Sequence, residues 1–133
     1  MTEYYNFIEG NDSSIHNYVK IIKINNIYNL IDTGGFNSIK IWNFLNKSLI
    51  TKINSNNGSG LGGFTIINNR YLLIGCYDKN IKEFDIEKKM MIKDINKHSG
   101  SMAGIKPVKD KNGNILFASY ACGDKNIYLW GSN

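Results

Sequence analysis

Hydrophobic positions in this chain come in short runs, and polar turns interrupt them every few residues. NYVKIIKI (17–24), KSLITKI (47–53), GFTII (63–67), MMIKDIN (90–96) and AGIKPVK (103–109) each read as a strand, rich in β-branched residues and bounded by polar breaks. Asn and Ile dominate the composition, and there is one proline in the chain. Ile favours strands, whereas Asn favours turns because it tolerates left-handed backbone angles. The pattern predicts an all-β chain of short strands joined by tight polar turns.

The strands recur. LIDTGGFNSIKIWN (30–43), LLIGCYDKNIKEFD (72–85) and ASYACGDKNIYLWG (118–131) superpose without gaps. Each has an apolar strand, a small-residue break, a polar turn and a closing Ile-x-x-aromatic. The closing residues are Trp42, Phe84 and Trp130, so successive units are offset by 42 and 46 residues. An interval of about 40–45 residues with four strands per unit is the spacing of propeller blades. In its IKIWN, IKEFD and IYLWG endings and its two DKNI turns, the chain resembles the WD-repeat β-propeller family. The resemblance implies antiparallel four-stranded blades packed face to face, in units of roughly 11–54, 55–97 and 98–133, all one domain. YYNFIEG (4–10) would be a closing strand. Propellers typically have four to eight blades, so about three imply an incomplete ring. The expectation is a segment of a longer propeller; the alternatives are half of a six-bladed homodimer and an open arc.

The family also ties loop to strand through a bonded set of His, Ser or Thr, Asp and Trp. Carried over here, the third unit supplies His98, Asp124 and Trp130, with Tyr120 at the hydroxyl position and Lys97 where a glycine would stand. The second supplies Asp78, with Ile74 and Phe84 at the hydroxyl and Trp positions. The first keeps Trp42, has Phe36 in place of the aspartate, and has His16 near the expected loop. The expectation is a partial network. Asp78 and Asp124 should hold their hairpins by accepting local backbone N–H bonds.

Other features point away from chemistry. Gly58, Gly60 and Gly63 spell G-x-G-x-x-G, but a dinucleotide site needs a helix to follow, and FTIINNRYLLIGCY shows no helical period. The glycines are expected to be a connection. The net charge of +5 is spread along the 133 residues, with Lys88-Lys89 the only doublet, so a nucleic-acid partner is not the first expectation. Cys76 and Cys122 recur at one repeat position and lack metal-ligand spacing, which suits structural thiols in a reducing compartment. The N-terminal stretch has no signal-peptide pattern and no apolar run approaches a membrane span, so a cytoplasmic or nuclear location is expected. No cofactor, metal or catalytic constellation is expected. The function read from the sequence is a non-catalytic scaffold binding a protein or peptide through its loops, with Phe36 and Tyr77 as contact aromatics. The alternative is a basic surface for RNA or anionic lipid.

Overall fold

The computed structural model describes residues 16–34, 38–54 and 61–131. Among them are eleven strands and no helix: β1 (His16–Ile24), β2 (Ile27–Gly34), β3 (Ser38–Asn43), β4 (Leu49–Asn54), β5 (Leu61–Ile67), β6 (Tyr71–Cys76), β7 (Asn80–Asp85), β8 (Met90–Asn96), β9 (Met102–Lys109), β10 (Ile115–Ala121) and β11 (Tyr128–Trp130). They form three antiparallel meanders, β1-β2-β3-β4, β5-β6-β7-β8 and β9-β10-β11. The chain is all-β, as the alternating pattern predicts. The proposed closing strand at 4–10 and Phe36 lie outside the described residues.

The turns explain the Asn content. Asn25 and Asn26, between β1 and β2, have φ of 50° and 64°, and Asn68 and Asn69, between β5 and β6, have 53° and 52°. Two consecutive left-handed residues twist a hairpin in the sense its strands require, and Asn is the side chain that best tolerates that conformation after glycine. Lysines occupy it elsewhere: Lys47 and Lys89, each just before the last strand of its sheet, have φ of 59° and 56°. A long side chain pays a steric cost there. Lys89→Gly should therefore raise unfolding stability by about 0.5–1 kcal/mol in urea titration; no gain would mean the turn relaxes at no cost.

Burial follows the pairing register. Leu30 faces Trp42, Leu72 faces Phe84 and Phe117 faces Trp130 across their strand pairs, so the three repeat aromatics are register equivalents. Along β2 and β3, Ile31, Ile39 and Ile41 point one way and pack with Leu72, Ile74, Cys76 and Phe84 of the second sheet. From the second sheet's other face, Leu73 and Ile81 pack with Met102 and Ile105 of the third, joined by Phe117 and Trp130. The middle sheet is thus covered on both faces. Its inner strand β6 is apolar on both sides, which is why it reads as a continuous hydrophobic run. Phe84 packs toward the first sheet and Trp130 toward the second; Trp42, on the other face of the first sheet, is 3% exposed.

The second and third sheets approach closely at Gly75. A Cβ built there would stand 2.9 Å from the Met102 Cβ, so the glycine in LLIGCY is required by packing. The leading strands of consecutive sheets also lie side by side, β5 against β9 and β1 approaching β5. The third sheet's outward side carries Ile127 and Leu129, both well exposed. Two lysines are inside: Lys40 and Lys82, each two residues before its repeat aromatic, are buried. Lys82 Nζ bonds Asp94 Oδ2 at 2.8 Å. The charge of the sequence therefore overstates the positive charge of the surface.

Candidate functional site

The site grows from the turn that links β10 to β11 and the loop that leads into β9. Asp124 sits in the DKN turn, where its Oδ1 accepts the Asn126 N–H at 3.0 Å. Asp78 makes the same bond to Asn80 at 3.1 Å. These repeated turns behave as expected, each carboxylate standing in for a backbone acceptor. Asp124 also reaches out of its own turn. Its Oδ2 accepts the Ser99 N–H at 3.1 Å and meets His98 Nδ1 at 2.9 Å. On the far side of the ring, His98 Nε2 lies 2.7 Å from Ser119 Oγ, which also accepts the Trp130 indole N–H at 2.8 Å.

The hydroxyl in this set is Ser119, and the expectation that Tyr120 stands at its position is corrected. The β10–β11 hairpin is one residue longer than its counterpart: Phe117 faces Trp130 across 13 positions, where Leu72 faces Phe84 across 12, and a gapless superposition cannot register the added residue. Tyr120 instead lies over Gly104. With a neutral imidazole every donor finds an acceptor. The Trp130 N–H donates to Ser119, the Ser119 O–H to His98 Nε2, and the His98 Nδ1–H to Asp124.

Ser, His and Asp in this order share the chemical types of a hydrolytic triad, but the geometry serves another purpose. Ser119 is fully buried, and one face of its oxygen is taken by Trp130. A nucleophile needs that oxygen exposed to substrate. Here the chain of bonds fastens the loop at 98–101 to the strands beneath it. The Tyr128 ring, edge-on to His98 at 4.8 Å, packs the other side of the imidazole.

Loop 98–101 in turn braces its neighbours. The Cys122 N–H donates to the Ser101 carbonyl at 2.9 Å, and Ser101 Oγ donates to the Tyr77 carbonyl at 3.0 Å, crossing from the third sheet to the second. Gly100 is needed because a Cβ there would collide with the Cys122 carbonyl. Tyr77, whose backbone is held by this bond, is 51% exposed. Of the two expected contact aromatics, it is the one among the described residues. His16 lies in β1. The glycine run leads into β5, a strand where a dinucleotide site would need a helix.

The two cysteines coincide in the gapless sequence repeat but not in the fold: Cys76 pairs with Leu61 as Ala121 pairs with Met102, so Ala121 is the counterpart of Cys76. Cys76 is buried in the core between the first two sheets, where burial pushes its thiol up to about 12. Cys122 lies in the longer β10–β11 turn and is exposed. The expectation that both recur at one structural position is therefore corrected.

Acid should loosen this loop. The N–H groups of Asn126 and Ser99, and then the His98 ring, hold the Asp124 carboxyl at about 2, below its ordinary 3.8. A carboxylate with a lowered folded value stabilises above its unfolded value, and that contribution disappears as pH falls through the folded one. Stability should therefore drop between about pH 4 and pH 2, and Asp124→Asn should flatten part of that fall in a pH series of urea midpoints. Arg70 lowers the Asp85 carboxyl and Asn114 lowers the Asp110 carboxyl in the same sense, and both add to the fall. An unchanged slope in Asp124→Asn would contradict this.

No family model and no curated protein matches the chain.

Proposed function

We propose that the chain is a segment of a WD-repeat-like β-propeller and acts as a non-catalytic platform that binds a protein or peptide through its loops. The His98–Ser119–Asp124–Trp130 set carries this reading. It has the residue types and the connectivity of the loop-to-strand bonding expected from the resemblance. It also makes the junction of the second and third sheets stiff at the place where Tyr77 is presented. The repeat of sheet-on-sheet packing and the equivalent registers of Trp42, Phe84 and Trp130 support the same reading.

An exposed aromatic on a stiff frame suits recognition, because a large ring held in place loses little freedom on binding. Tyr77 is such a ring. Phe36 stands one residue past the matching place in the first unit, at the position of Asp78, by sequence alone. Tyr77→Ala and Phe36→Ala should each remove partners from the set captured by the purified protein while leaving its thermal unfolding within a few degrees. A captured set identical to that of the unaltered chain would end this site assignment.

A further inference from the structure

At the opposite end of the sheets from Tyr77, the first and second sheets part around a cleft of about 560 Å³, within the range of sites that hold small ligands and peptides. Ile24, Ile27, Ile41, Ile50 and Ile86 line it. So do Asn29 and Asn43, which are direct cross-strand partners on β2 and β3. They share the face of Ile31 and Ile41, which looks toward the second sheet.

Both carboxamides are oriented by the main chain. Asn29 Nδ2 donates to the Ile27 carbonyl at 2.9 Å. Asn43 Oδ1 accepts the N–H groups of Leu45 and Asn46 at 2.9 and 3.2 Å. These bonds settle which end of each amide is oxygen and which is nitrogen. Asn29 Oδ1 and Asn43 Nδ2 are left over, an acceptor beside a donor, and neither has a partner among the described residues. Asn29 is only 5% exposed. Its Oδ1 is not sealed off and remains open to the cleft.

The charges around the cleft cancel. Arg70 bonds Asp85 at 2.8 Å and Glu87 at 2.9 Å, and Lys89 is the remaining cation of the lining. The site thus offers an apolar lining, an adjacent acceptor and donor, and no net charge. An extended peptide residue directs its N–H and C=O to the same side, which suits one acceptor and one donor on paired residues. We infer that this cleft binds an uncharged peptide segment in extended conformation, with an aliphatic side chain among the isoleucines and the backbone of one residue bonded to Asn29 and Asn43. The inference shares its class of partner with the proposed function but not its site, so Tyr77 variants and Asn43 variants test them separately.

The test is an NMR titration with capped pentapeptides, acetyl-Ser-Gly-X-Gly-Ser-amide, following the isoleucine methyls of the cleft and the side-chain NH₂ of Asn43. Peptides with X as isoleucine, leucine or valine should shift both sets of signals, and X as aspartate or lysine should bind at least about tenfold more weakly. N-methylation of X removes the donor and should cost about tenfold as well. Asn43→Asp keeps the turn, because Asp85 at the matching place in the second sheet already accepts the Glu87 and Lys88 N–H groups at 3.0 and 3.1 Å. It should fold normally and lose the peptide response. The inference is overturned if the cleft signals stay still at millimolar peptide, if N-methylated or charged peptides bind equally well, or if folded Asn43→Asp binds unchanged. A response to glucose or uracil without one to the peptides would overturn it too.

Discussion

Phe84→Ala should destabilise the protein by about 3–5 kcal/mol, the range for emptying a fully enclosed aromatic site. Phe84 has no exposed surface, and it stands in the core between the first and second sheets with Ile31, Ile39, Ile41, Leu72 and Ile74. Neither sheet can close the space, because each is held in register by its own ladder of hydrogen bonds, and the second is also packed against the third. Domains of this size are stable by roughly 5–15 kcal/mol, so the loss should appear as a large fall in urea midpoint. Met91, paired with Phe84 on β8, is exposed. Met91→Ala should cost under about 1 kcal/mol. Equal effects at the two positions would mean that Phe84 does not lie between sheets.

The second large effect belongs to a hydroxyl group. Ser119→Ala removes one oxygen and strands two buried groups, the Trp130 N–H and His98 Nε2. At about 1–3 kcal/mol for each unsatisfied group, the expected loss is about 2–4 kcal/mol. It should come with faster amide exchange across residues 98–101, because the loop then loses its tie to the strands. Tyr120→Phe removes the neighbouring hydroxyl and should change stability by less than about 0.5 kcal/mol. The reverse order of effects would return the bonding role to Tyr120.

These two sites differ in how far the sequence reveals them. Phe84 is legible because the closing aromatics recur at a blade-like interval and each stands across from an apolar residue of the preceding strand. The strands at 63–67, 90–96 and 103–109 are legible for a related reason, since β-branched runs between Asn- or Gly-bearing breaks have few other ways to fold. Ser119 is hidden by a one-residue lengthening of the β10–β11 hairpin, which shifts β10 by one against the sequence repeat. The different fates of Cys76 and Cys122 are hidden too, because the same added residue puts Cys122 in the turn rather than on the strand. Asn29 and Asn43 carry no motif at all. Their significance lies in a cross-strand pairing, and in bonds to Ile27, Leu45 and Asn46 that leave one end of each amide unoccupied.

The buried lysines show the same division. In sequence, Lys40 and Lys82, each following an isoleucine, look like two more surface charges. In the fold, β3 and β7 are interior strands of their sheets, and all their residues but Asn43, Asn80 and Glu83 are buried. For Lys82 the carboxylate of Asp94 on the neighbouring strand provides the counter-charge. That pairing makes the position specific without adding much stability, since burying an ion pair costs nearly as much as the attraction returns.

The decisive measurement is a methyl and aromatic NOE map in solution. If apolar faces of successive sheets meet, the methyls of Ile39 and Ile41 will show cross-peaks to the Phe84 ring, and those of Leu73 and Ile81 will show them to the Met102 methyl. Should the Phe84 ring and the Met102 methyl give contacts only within their own meanders, the stacked arrangement is contradicted.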